Sequence, residues 1–109
     1  MGSTELHELI FTVGVDNRED VMMCEEYDAE NNAWILLPAP SMYRESFVLA
    51  SYHGQVFLIP NDQDQDHPKT IEVYDPNQNT WSSLPDLPFR YLYAGAAIVD
   101  DKIIVYEKF

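Results

Sequence analysis

The sequence has one cysteine, Cys24, so no disulfide can form within the chain, which suits a reducing compartment. Its surroundings, Val21-Met22-Met23-Cys24-Glu25, read as strand, and a buried, inert thiol is expected there. Basic side chains are scarce: 6 Lys and Arg stand against 19 Asp and Glu, a net charge of −13. The acids are spread along the chain without a long single-sign block, as on a solvated surface. Such a balance repels phosphate backbones, so no nucleic-acid partner is expected, and an anionic membrane surface is disfavoured for the same reason. No run approaches the roughly 20 apolar residues of a membrane span. The start, Met1 to Glu8, lacks the basic and apolar segments of a signal peptide. A cytoplasmic protein with no membrane partner is expected.

Chemistry-bearing patterns are also missing. His7, His53 and His67 share no metal-like spacing, and one cysteine supplies a zinc site poorly. There is no glycine-rich phosphate loop and no nucleophile elbow. Asn61-Asp62-Gln63-Asp64-Gln65-Asp66-His67 alternates acids as calcium loops do. Counted from Asp62, however, the sixth and twelfth positions are His67 and Val73, where an EF-hand needs Gly and Glu. It reads as a solvated loop. The expectation is no enzyme, no catalytic residue, no metal and no cofactor. No stretch of ten residues carries helical periodicity either.

What is present is a repeat. Tyr27-Asp28, Asn32, Trp34 and Leu37-Pro38 return as Tyr74-Asp75, Asn79, Trp81 and Leu84-Pro85, each displaced by 47 positions. A fixed period of this size marks stacked, strand-rich units. Hydrophobic residues make up 46 % of the 109 and aromatics 13 %, enough for a core and favourable to strands. Short β-branched or aromatic runs fall at 9–14, 21–27, 33–37, 47–52, 55–59, 70–74, 80–84, 93–99 and 102–106. Polar or Gly/Pro turns separate them, with Asp and Asn bonding their own backbone. The fold class is all-β and antiparallel, with about nine short strands.

The pattern resembles the kelch repeat. Arg44, Ala50, Gly54, Val56, Phe57, Tyr74, Asp75, Asn79, Trp81, Leu84 and Pro85 fit one repeat. Phe11, Val13, Gly14, Tyr27, Asp28, Asn32, Trp34, Leu37 and Pro38 fit the end of the one before, and Arg90, Ala97, Ile103, Ile104 and Val105 the start of the next. The family's glycine pair is replaced here by Gly14-Val15, Pro60-Asn61 and Glu107-Lys108, and Arg90 sits one residue out of register with Arg44.

The resemblance implies antiparallel four-stranded blades of a β-propeller, about two of them, so part of a ring. Residues 1–8 are expected as a tail, 9–40 as a partial blade holding its second to fourth strands, 41–87 as a complete blade, and 88–109 as the first two strands of another. It also implies structural roles for Tyr27, Asp28, Trp34, Tyr74, Asp75 and Trp81, with each Trp packed between blades. Arg44 and Arg90, with Tyr43 and Tyr91 beside them, fall at a mouth of the channel. They can contact a partner protein or brace their loops against nearby acids such as Glu45. Asn61 and Asp62 begin a loop that frames the same mouth. The implied function is protein recognition, as substrate or scaffold binding in cullin-type ubiquitin ligase adaptors. Alternatives are cytoskeletal binding, a self-associating unit, three copies closing a six-bladed ring, or, more distantly and only if other chains complete a site, a metal-dependent enzyme. The implied partners are another protein, further copies, or the remainder of a propeller.

Overall fold

In the computed structural model, residues 2–6, 9–16, 21–61, 68–91 and 94–107 are described. Ten strands run through them: β1 (Gly2–Leu6), β2 (Leu9–Asp16), β3 (Val21–Asp28), β4 (Ala33–Leu37), β5 (Phe47–Tyr52), β6 (Gln55–Pro60), β7 (Thr70–Asp75), β8 (Thr80–Asp86), β9 (Ala94–Val99) and β10 (Lys102–Glu107). They form two four-stranded sheets, β1-β2-β3-β4 and β5-β6-β7-β8, and a two-stranded sheet, β9-β10. Every pairing is antiparallel.

The chain is thus all-β and built of antiparallel four-stranded blades. Residues 2–6, expected within a tail of residues 1–8, instead form β1 and pair with Leu9–Val13; Met1, His7 and Glu8 lie outside the described residues. The first sheet therefore has four strands where the sequence pattern pointed to three. The polar run Gly-Ser-Thr-Glu-Leu has no alternation to reveal a strand; its main chain finds partners along β2. A second difference is Pro85, expected to stop β8, which continues to Asp86. Pro85 lies in the outermost strand of its sheet, at a break in the register with β7 between Thr70 and Glu72, and edge strands and bulges are where a strand tolerates proline.

The first strands of the sheets lie side by side, β1 against β5 and β5 against β9, so they share an inner axis and the later strands fan outward. Each blade presents two faces, fixed by register. In the second blade Val56, Tyr74 and Trp81 align across the sheet, as do Leu58, Glu72 and Ser83. This face meets the first blade. Val56, Leu58 and Tyr74 bury against Val13, Met22 and Cys24, with Leu37, Tyr43, Phe47, Leu49 and Trp81 packed around them. The opposite face carries Ile59 and Val73, both buried, and lies next to the two-stranded sheet, where Ala94 is buried in turn.

Antiparallel alternation sends loop 38–46, Asn61, Pro68–Lys69 and Leu87–Tyr91 to one end of the blades and the tight turns to the other. Three contacts tie the loop end together: Asn61 N–H donates to Ser46 O (3.2 Å), Leu87 N–H to Lys69 O (3.0 Å) and Thr70 Oγ1 to Asp86 Oδ1 (2.6 Å). At the turn end, His53, Asp100 and Asp101 have positive φ, as does Gly54. Such left-handed pairs suit two-residue hairpin turns, whose twist matches the strands.

Candidate functional site

Arg44 is not at the surface. Its side chain is fully buried, and so is that of Glu72. Arg44 Nη1 donates to Glu72 Oε2 (2.6 Å) and to Met42 O (2.9 Å), while Nη2 donates to Thr70 O (2.5 Å). Glu72 Oε1 accepts from Ser41 N–H (2.9 Å) and Ser41 Oγ (2.7 Å), and Oε2 accepts from Met42 N–H (3.2 Å). Burial alone would raise the Glu72 carboxyl; hydrogen bonds from Arg44 and Ser41 outweigh it and hold it below the ordinary carboxylate range. The expectation that Arg44 contacts a partner is therefore corrected. It braces the loop between blades, and its acid is Glu72, not Glu45. Three of its N–H groups donate to carboxylate and carbonyl acceptors, and its Nε, which meets no acceptor among the described residues, is buried too, so none of the side chain reaches the surface. The signal for Glu72 was a lone acid inside the alternating strand Thr70-Ile71-Glu72-Val73-Tyr74. Only packing reveals that its side faces Arg44.

Other residues expected at the mouth divide. Tyr43 is half-buried and packs against the inter-blade core. Asn61 is half-buried and tied to Ser46 through its N–H; Asp62 lies outside the described residues. Arg90 and Tyr91 are half-buried in the loop ahead of β9. Beside them is a residue the sequence reading did not single out: Phe89 is 68 % exposed. Its ring stands edge-on to Tyr91, centroids 6.4 Å apart. The loop end thus offers an aromatic pair flanking Arg90. At the other end, His53 Nε2 lies 2.6 Å from Asp101 Oδ1 and Tyr52 OH donates to Asp101 O, linking the turns of adjacent sheets.

The repeat residues hold their local geometry in both copies. Tyr27 OH donates to Asn32 Oδ1 and Tyr74 OH to Asn79 Oδ1, each at 2.5 Å. Asp28 accepts from Glu30 N–H and Asp75 from Asn77 N–H. Trp81 packs between blades, its Nε1–H donating to Pro38 O (2.7 Å). Trp34 departs from expectation: it is 52 % exposed, because no described residue covers its face of the first blade.

Cys24 is buried between the blades, and burial, then the charges of Glu26 and Glu25, push its thiol up to about 12. At neutral pH it is a thiol, hence a poor nucleophile. Among the described residues no group of three or more His, Cys, Asp or Glu could hold a metal ion, and no helix is long and apolar enough to cross a membrane.

These sheets, with inner strands abutting on one axis and a Trp wedged between blades, define a class: blades of a β-propeller. Comparison with known proteins makes the class specific. A family model described as the Kelch motif matches residues 61–88. The chain is 31 % identical over 62 residues to human Kelch repeat and BTB domain-containing protein 13, covering 57 % of this chain and 14 % of that protein. It is 29 % identical over 90 residues to Protein C13 of swinepox virus, covering 80 % and 18 %. To Kelch-like protein 21 of Danio rerio it is 28 % identical over 82 residues, covering 73 % and 12 %. The solved structure of YjhT superposes with a TM-score of 0.71 at 15 % identity, over 95 % of this chain and 32 % of that one. The chain is a kelch-repeat segment. It spans less than a fifth of the length of each of these curated relatives.

Proposed function

We propose that this segment is a protein-interaction module whose partner binds at the loop end, over Phe89, Arg90 and Tyr91. The observation that carries the reading is Phe89, a large apolar ring 68 % exposed at a loop tip, paired with Tyr91 and beside an arginine. Aromatic residues and Arg dominate interface hot spots, and binding residues favour loops held by a rigid scaffold. The buried Arg44–Glu72 pair supplies that rigidity to the neighbouring loop. Names containing Kelch and BTB among the relatives support the finer reading: recognition of a substrate or scaffold in ubiquitin-ligase adaptation, in the cytoplasm, by binding and not catalysis. Self-association and cytoskeletal binding are the alternatives.

The test is affinity purification from cell lysate with the wild-type segment and with a Phe89→Ala/Arg90→Ala/Tyr91→Ala variant, each checked by thermal melting. Proteins retained by the wild type and lost by the variant, at unchanged Tm, are the expected result. Retention of the same proteins by both would sink the loop-end assignment. Cullin subunits among the retained proteins would favour the adaptor reading over actin.

A further inference from the structure

β4 and β8 hold the same place in their blades, and only one of them is guarded. Each is the outermost strand of its sheet, with a strand beside it on one side only. Stacking does not hide the other side, because blades meet through their faces while the outer edges point away from the axis. An open edge is a template for pairing with another chain, and proline, charge and bulges are what blunt it. β8 has Pro85, Asp86, two serines and a break in its register with β7. β4, Ala33-Trp34-Ile35-Leu36-Leu37, has no proline, glycine or charge. Ile35 and Leu36 stand where β8 has Ser82 and Ser83, 47 positions on, and they are 42 % and 72 % exposed. A neighbouring blade does not account for either. Ile35 shares its face with Cys24 and Leu37, which meet the second blade, yet it stays exposed. Leu36 shares the open face with Trp34. Its counterpart Ser83 is exposed although the first blade covers that face of the second.

We propose that the outer edge of β4 takes an extended segment of another protein as an added strand, a segment apolar on both faces and flanked by Lys or Arg. Main-chain hydrogen bonds give such pairing its affinity, and side chains give it choice. The apolar requirement comes from Ile35 and Leu36, which alternate to opposite faces of the strand and ask for an apolar neighbour on each. The basic requirement comes from charge. Residues 21–43, which hold β3, β4 and the turn between them, contain Glu25, Glu26, Asp28 and Glu30 and no Lys or Arg. Glu25, 47 positions before Glu72, lies opposite Leu36, and Glu26 lies opposite Ile35, so each face of the edge has a carboxylate one strand inward. A second copy of this chain is a poor occupant. Each copy carries a net charge of −13, and two β4 edges would bring these acids together. The edge uses no residue of the loop that holds Phe89, Arg90 and Tyr91, so this proposal stands or falls independently of that site.

The experiment selects binders from a displayed pool of random peptides on the 109-residue chain, then measures the recovered peptides by calorimetry and by amide hydrogen exchange. The expected peptides carry a β-branched or aromatic run flanked by Lys or Arg, and their affinity falls as salt rises. They should slow exchange at alternate amides of β4, since an added strand pairs with every second residue. The variant Ile35→Ser/Leu36→Ser gives β4 the side chains that β8 carries at these positions. It should bind the same peptides several-fold more weakly at an unchanged Tm. If that variant does not fold, Leu36→Lys replaces it, setting a repelling cation on the edge with the same loss expected. Recovered peptides that are acidic, that bind the variant as well as the wild type, or that leave the β4 amides unchanged overturn the proposal, as does a pool that yields no binder. Slowed exchange in β4 that grows with the concentration of the chain alone, with a doubled mass by light scattering, assigns the edge to a second copy and also overturns it.

Discussion

Tyr27–Trp34 and Tyr74–Trp81 are the same motif in two environments. Within each the ring centroids are 5.4 Å apart, the Tyr hydroxyl meets the Asn amide oxygen, and that Asn sits at positive φ, 49° in Asn32 and 55° in Asn79. The hairpin is therefore a local product, set by residues within seven positions. Burial is not: Tyr74 is buried where Tyr27 is half-buried, and Trp81 is half-buried where Trp34 is 52 % exposed. What differs is whether another blade lies against the face. The motif's side chains make their own hairpin but take most of their stabilisation from a neighbour, as expected of units that cannot bury their faces alone.

The largest test of that contrast is at the acids' positions. Arg44→Ala leaves Glu72 buried without its cation and should cost about 3–5 kcal/mol, whereas Glu25→Ala on the open face should change stability by less than about 0.5 kcal/mol. Urea melts of both variants measure this directly, and equal losses would break the distinction between the blades. Next come the tryptophans. Trp81→Ala opens the inter-blade core and should cost about 3 kcal/mol, the lower end for a large aromatic because its ring is only partly covered. Trp34→Ala should cost less than about 1 kcal/mol in the same melts.

Acid should sharpen the comparison further. The Glu72 carboxyl is depressed in the folded state. Its contribution is fully present above the ordinary Glu value of about 4.3 and is lost as pH falls through the lowered folded value. The urea midpoint should therefore fall below about pH 4 in the wild type, and less steeply once Arg44 is replaced; an unchanged acid slope in Arg44→Ala would show that other carboxylates set it. The smallest difference between the copies is expected where their geometry agrees. Asn32→Ala and Asn79→Ala each place Ala at positive φ and remove one hydrogen bond, so each should cost about 1 kcal/mol. A large difference between the two would mean that the turn, too, depends on the neighbouring blade.

Most of the architecture could be read from local signals. Alternation and turn residues gave the strands from Leu9 onward, and the 47-residue repeat gave the blades. Strand β1 was hidden because Gly2–Leu6 has no alternation, its pairing being specified by β2. At the site the reading was weaker. Arg44 stands in a polar loop, where a long cation ordinarily lies in solvent, and only the folded chain brings Glu72, 28 residues away, over it. Phe89 between Pro88 and Arg90 reads as loop filler until its exposure is known.

By itself, then, the sequence determined the strands from Leu9 onward, the turn chemistry and the kelch-type repeat, because hydrogen bonds within a hairpin depend on residues close in the chain. The tertiary structure alone decided that Arg44 is a buried brace, that Trp81 is covered while Trp34 is open, and that Phe89 stands exposed at the loop end. Burial is a property of what packs against a face, and no residue encodes its neighbour's position.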